Sequence, residues 1–189
     1  MVNANLKEIV EVDRTLERAA YHEVGHAWAY IKSGVDIAEV CLDAGGGFSG
    51  HVLTRPPFVV DITDRMSVIY AMWILLAGCV AEELHFGERL DDLEGDRLAA
   101  KELYRSAMIS EIFLPHGVSR KERRAARSKL GSLPNKCDRY LLVAENTLRD
   151  AFARDWDYLE AIASRLLGKG RLTGEEIEQL LEQLETIGC

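Results

Sequence analysis

The sequence predicts a mainly α-helical domain with a small β-sheet. Three observations carry that prediction. Apolar residues recur at helical spacing through most of the chain, and capping residues stand at the borders of those stretches. Between residues 35 and 57 the pattern changes to short β-type runs broken by glycines and prolines. The 189 residues are 48% apolar, enough to bury one sizeable core and too apolar for a disordered chain.

The first helix is expected from about Arg14 to Ser33, with Asp13 as N-cap and Gly34 as the stop. Two short strands follow, about Ile37 to Leu42 and Phe48 to Thr54, around a glycine turn, and Pro56 and Pro57 close the region. A second helix is expected from Asp64 to Phe86, ending at Gly87. The acidic loop "GERLDDLEGD" leads to a third helix, about Arg97 to Phe113. Next comes an exposed basic stretch ending near Pro134, then a helix from about Lys136 to Leu167 with Gly168 after it. The last helix covers about Gly174 to Thr186, where Thr173 and Glu176 match the T-x-x-E capping box. This organisation divides into a core at residues 1–116, which holds the hairpin, and a helical part at 117–189 that packs back on the same domain.

Charge and cysteine usage narrow the function. A net charge of −8 and a pI near 5.2 speak against nucleic-acid binding. The one basic run, with Arg120, Lys121, Arg123, Arg124, Arg127 and Lys129, has no interleaved aromatics and reads as a solvated face. The four cysteines, Cys41, Cys79, Cys137 and Cys189, form no C-x-x-C pair, so a reduced, cytoplasmic protein without a cysteine zinc site is expected. The beginning of the chain has no apolar signal core. The apolar run Val68 to Ala81 is short for a membrane span and suits a core helix.

The first helix carries the chemistry. In "AAYHEVGHAW" His22 and His26 stand four apart, so they share a face with an offset of about 40°. Glu23 falls at about 100° from His22, inside the apolar arc, where an unpaired carboxylate is costly to bury. Gly25 costs a helix interior about 1 kcal/mol against alanine, which makes sense where another segment or a ligand approaches closely. H-E-x-x-H on a helix explains these features together: two imidazoles bind zinc, and the glutamate is the general base for a water on the metal. Glu23 would take that water's proton and pass it to the leaving amine. A third ligand must come from elsewhere, because Ala29 and Lys32 stand where the extended pattern needs Gly and His. The candidates are His51, His85, Glu82, Glu83, Asp91, Asp92, Glu94 and Asp96.

The ordered set "AAYHEVGHAW", "LLAGCVAEELHFGE", "LEGDRLAAKELYRSAM" and "LTGEEIEQLL" resembles the peptidase domain of the FtsH-type ATP-dependent zinc proteases, over most of residues 15 to 185. The resemblance implies a zincin-like H-E-x-x-H metallopeptidase domain with added C-terminal helices. It implies zinc ligation by His22, His26 and Asp96 and base catalysis by Glu23. It places Glu82 near the metal histidines, where the carboxylate would orient an imidazole by accepting its other N–H. Glu83 reads as surface and His51 as a surface or cleft-wall residue, not a ligand. The segment Phe48 to Thr54 would offer an edge strand to extended polypeptide.

Departures from the family pattern are Val24 for alanine and Cys79 for arginine after L-A-G. The second removes a charge and bears on assembly, since family members form hexameric rings through this domain. No Walker A motif stands in the sequence, so ATP-driven unfolding is not expected of this chain itself. The expected function is zinc-dependent endoproteolysis of unfolded or flexible polypeptides. The expected partners are polypeptide substrate, a separate ATPase and further copies of the chain, with neither nucleic acid nor membrane. The alternatives are a non-proteolytic adaptor, against which the intact Glu23 speaks, and a narrow regulatory peptidase that cleaves one partner protein.

Overall fold

The first helix, α1, runs from Asn3 to Lys32, well before the expected start. The structure is a computed structural model describing residues 3–43, 49–88, 94–109, 119–122, 124 and 134–187. Asp13 is therefore inside the helix and not its cap. No glycine or proline interrupts residues 3–24, and a helix propagates through such a stretch once nucleated. Gly34, at φ 72°, ends the helix as expected.

The hairpin follows as β1 (Ile37–Asp43) and β2 (Ser49–Thr54), antiparallel, with Val40 opposite Val52 and Cys41 opposite His51. Residues 44–48, including Phe48 of the expected strand, lie outside the described residues. The second helix, α2, spans Arg65–Phe86. Asp64 caps it by accepting from the backbone N–H groups of Met66 and Ser67, and Gly87 closes it at φ 69°. By length and composition alone α2 could cross a membrane, and 61% of its apolar window is buried inside the fold. Its buried residues include Val68, Met72, Leu76, Ala77, Val80 and Ala81, and it packs against three other helices.

Gly25 is explained by this packing. A Cβ there would stand 2.5 Å from the Ala77 carbonyl oxygen and 2.8 Å from the Ala81 Cβ. The missing side chain lets the backbones of α1 and α2 approach at the level of the histidines. The tight contact is with a chain segment, one of the two causes the sequence leaves open.

Helix α3 covers Glu94–Ile109 and starts three residues before the expected Arg97, while residues 110–113 of the expected helix lie outside the described residues. Within the basic stretch, residues 120–122 and 124 are helical and Arg120, Lys121 and Arg124 are exposed; Arg123, Arg127 and Lys129 lie outside the described side chains. Helix α4 spans Pro134–Lys169 with a bend at Asp155 (φ −108°, ψ 17°). The Asp155 carboxylate accepts from Trp28 Nε1 at 2.9 Å and pairs with Lys32 Nζ at 2.8 Å, both on α1. The bend sits where this polar tie draws the two helices together. Gly170, at φ 72°, ends α4 in place of Gly168.

A third strand, β3 (Arg171–Thr173), pairs antiparallel with β1, giving the order β2-β1-β3. Three residues are too few for a period-two signal, which is why the sequence reading passes over it. Helix α5 (Gly174–Ile187) begins with the expected capping box: the Thr173 N–H donates to Glu176 and the Glu176 N–H donates to Thr173 Oγ1. The protein is thus mainly helical with a small antiparallel sheet.

Candidate metal centre

The packing of α1 against α2 and α3 brings three distant side chains to one point. His22 Nε2 lies 3.0 Å from His26 Nε2 and 3.0 Å from Asp96 Oδ2, and His26 Nε2 lies 3.2 Å from the same oxygen. Asp96 is the third residue of α3, and its carboxylate faces the imidazoles instead of capping the helix. Donors on a tetrahedral zinc, each at about 2.0–2.1 Å from the ion, stand about 3.3 Å apart. The triangle therefore has the dimensions of three corners of such a shell.

The ring nitrogens facing away set the tautomers. His26 Nδ1 is 2.7 Å from the Ile74 carbonyl oxygen, an acceptor only, so Nδ1 carries the proton and Nε2 turns its lone pair inward. His22 Nδ1 is buried and has no hydrogen-bond partner among the described residues; the Glu82 carboxylate oxygen Oε2 is 3.6 Å away. Glu82 is itself 2% exposed and held by Arg18 Nη1 at 2.7 Å. A small closure would make it the acceptor for the His22 N–H.

The electrostatics of the site favour a cation. Burial lowers the pKa of His22, but the carboxylates of Asp96 and Glu82 outweigh it and push it up to about 9. Burial raises the pKa of Asp96, yet hydrogen bonds with His22 and His26 hold the carboxyl well below the usual range. Gly78 of α2 lies over the imidazoles: a Cβ there would stand 2.6 Å from His26 Nε2 and 2.9 Å from His22 Nε2. The space above the triangle exists because that position has no side chain. This cradle, the inward lone pair of His26 and the N/O donor set fit a divalent ion such as zinc with one coordination position left over.

Glu23 stands beside the triangle without joining it. It is 7% exposed, and burial raises its carboxyl pKa, with His26 and His22 pulling the other way. Gly50 of β2 covers it so closely that a Cβ would be 2.4 Å from Glu23 Cγ. The strand next to Glu23 is thus β2, which lies at one end of the order β2-β1-β3.

The other residues named from sequence take no part in the triangle. His51, on β2, is 42% exposed and 3.6 Å from Glu39. His85 stacks on Tyr21 with ring centroids 3.6 Å apart and lies 3.1 Å from Glu17. Glu83, expected at the surface, is instead half-buried and receives both hydrogen bonds of an Arg149 Nη2 that ties α2 to α4. Asp91, Asp92 and the Glu94 side chain lie outside the described residues. The sequence reading misses Gly78, whose role depends on helix packing. It also misses the buried Glu145, which accepts from Arg97 Nε at 3.0 Å and fixes α3 to α4 next to Asp96.

No protein-family model matches the chain. Curated relatives do match it. The chain is 33% identical over 177 residues to the ATP-dependent zinc metalloprotease FtsH 1 of Symbiobacterium thermophilum, covering 87% of this chain and 29% of that protein. It is 25% identical over 205 residues to the ATP-dependent zinc metalloprotease FtsH of Paraburkholderia phymatum, covering 97% and 30%. It is 24% identical over 205 residues to the ATP-dependent zinc metalloprotease FtsH 4 of Synechocystis sp., covering 96% and 32%. The chain spans about a third of the length of these relatives, and it is similar to one region of them.

Proposed function

We propose that this chain is a zinc-dependent endopeptidase acting on unfolded or flexible polypeptides, with the zincin-like arrangement of the FtsH peptidase region. The observation that supports it most is the triangle of His22 Nε2, His26 Nε2 and Asp96 Oδ2 with Glu23 alongside. In this reading those three residues hold the ion. Bound zinc supplies Lewis acidity, polarising the scissile carbonyl and acidifying a water. Glu23 takes the proton from the attacking water and delivers it to the leaving amine; its burial moves its basicity towards neutral pH, where a general base is most effective. Glu82 steadies His22 by facing its Nδ1. Strand β2 offers backbone groups to an extended substrate, which gives loose sequence preference because side chains contribute little to the contact. The partners in this reading are polypeptide, a separate ATPase and further copies of the chain, in the cytoplasm.

The test is metal content together with casein hydrolysis. One zinc per chain is expected, with cleavage that needs no ATP, stops on chelation and returns with zinc. Cleavage indifferent to chelation would reject the reading.

Two further outcomes follow from the geometry. His22, pushed up to about 9 without metal, carries a proton at pH 7 that zinc must displace. Zinc affinity should therefore rise about tenfold per pH unit from neutral pH towards 9, with proton release visible by titration calorimetry in buffers of different ionisation enthalpy. The metal-free protein should show the opposite trend. A group raised above its unfolded value near 6.5 stabilises the fold fully below that value, and the contribution is lost as pH climbs through 9.

In Gly78→Ala the added methyl intrudes on His26 Nε2 and His22 Nε2. Zinc affinity, measured by chelator competition, should fall by at least about 10–100-fold, the usual cost of disturbing the surroundings of a metal ligand. The melting temperature without metal should fall modestly, since alanine's better helix propensity, about 1 kcal/mol, offsets only part of an overpacking cost of about 1–3 kcal/mol.

A further inference from the structure

Helix α2 places one more donor beside two of the triangle's residues. Cys79 follows Gly78 directly and is 2% exposed. Its Sγ, one ring nitrogen of His22 and one carboxylate oxygen of Asp96 all lie within 4.8 Å of one another. Those two partners are also two corners of the triangle that His26 completes. We infer that Cys79 is a fourth protein donor to the metal held by His22, His26 and Asp96, so that the site has a closed, thiolate-ligated form. The inference rests on the metal reading above.

Zinc holds nitrogen at about 2.0 Å and sulfur at about 2.3 Å, so its donors stand about 3.5 Å apart. The group must then contract by roughly an ångström around an ion of that size. Thiolate is a preferred zinc ligand, and two imidazoles, a carboxylate and a thiolate complete a four-coordinate shell. On binding, the S–H bond breaks, its proton leaves to solvent, and the electron pair left on sulfur forms the bond to zinc. The net charge of the donors becomes −2, which matches the ion. A shell filled by four protein donors leaves no position for water, so the closed form is catalytically silent and opens when the sulfur withdraws. The sequence reading gives Cys79 no such role, because its ligating partners come from two other helices.

The experiment uses the full chain with two metals. Zinc-loaded wild type is examined by X-ray absorption, and one sulfur neighbour at about 2.3 Å is expected beside the nitrogen and oxygen neighbours. Cobalt-loaded wild type should show a thiolate-to-cobalt charge-transfer band in the near ultraviolet. That band should vanish in Cys79→Ser while one cobalt per chain and its visible bands remain. Metal bound with only nitrogen and oxygen neighbours, or a charge-transfer band that persists in Cys79→Ser, overturns the role of Cys79 and leaves the metal site standing. Failure of wild type to bind either metal overturns both. The absorption measurement on wild type decides the matter even where the variant fails to fold.

Discussion

Replacing Glu23 with glutamine is expected to leave zinc bound and to lower kcat by about 10²–10⁴-fold, the range over which a positioned general base contributes. Glutamine keeps the shape of the side chain, so it fits the slot beneath Gly50, where Glu23 Cγ is already in close contact. It removes only the charge and the capacity to accept a proton. The triangle of His22, His26 and Asp96 does not include Glu23, so zinc stoichiometry should stay at one per chain. A carboxylate 7% exposed is expensive to keep charged, so the variant should melt no lower than wild type. KM for a peptide should change little, because in the proposed reading substrate contacts come from β2. Kinetics on a fluorogenic peptide, together with metal analysis, separate these terms. A variant that holds zinc and turns over like wild type would remove Glu23 from the mechanism, and one that loses zinc would mean its charge is needed to hold the ion.

The sequence shows the helical half of this site more clearly than the rest. His22, Glu23 and His26 lie on one helix, where the 3.6-residue period turns spacing into geometry. The ends of α2 are equally legible, since Asp64 and Gly87 act locally as cap and stop. Asp96 is different. Spacing alone leaves eight candidates for a third donor, and an acid after a glycine near a helix start is more often a cap. Only tertiary packing separates these roles, including the Arg97–Glu145 pair that fixes α3 beside the site. Gly78 and Cys79 are silent for the same reason. Glycine and cysteine are ordinary residues in an apolar core helix, and what they face is decided by α1 and α3. The early start of α1 and the existence of β3 are missed on other grounds. Residues 3–13 carry no breaker to stop a helix, and β3 exists because β1 offers an edge for it.

Asp96→Ala is expected to lose both zinc and activity, and its failure should differ in kind from that of Glu23→Gln. The wild-type carboxylate is ionised throughout the neutral range. Burial works against the charge, but hydrogen bonds with His22 and His26 prevail and hold the pKa far below its ordinary value. It is the one anion of the triangle, and in the proposed metal reading alanine leaves the two imidazoles with at most the Cys79 sulfur beside them. The loss of affinity should exceed the about 10–100-fold that follows removal of a group merely supporting a ligand. His22 loses the first of the three carboxylates that raise its pKa, so the proton competing with zinc should bind less tightly in the variant. That makes the comparison at high pH decisive. If Asp96 acted only by holding His22 protonated, the variant would bind zinc better than wild type at pH 7 and equally at pH 9.5. If it donates to the ion, the variant binds worse at pH 9.5, where proton competition at His22 no longer masks the lost donor. A capping role predicts a third result, with zinc affinity intact and stability lower by about 1 kcal/mol. Isothermal titration at the two pH values, with melting curves in chelator to confirm folding, distinguishes the three. Tight binding by the alanine variant at pH 9.5 would exclude Asp96 as a ligand and leave the third position to a group outside the triangle.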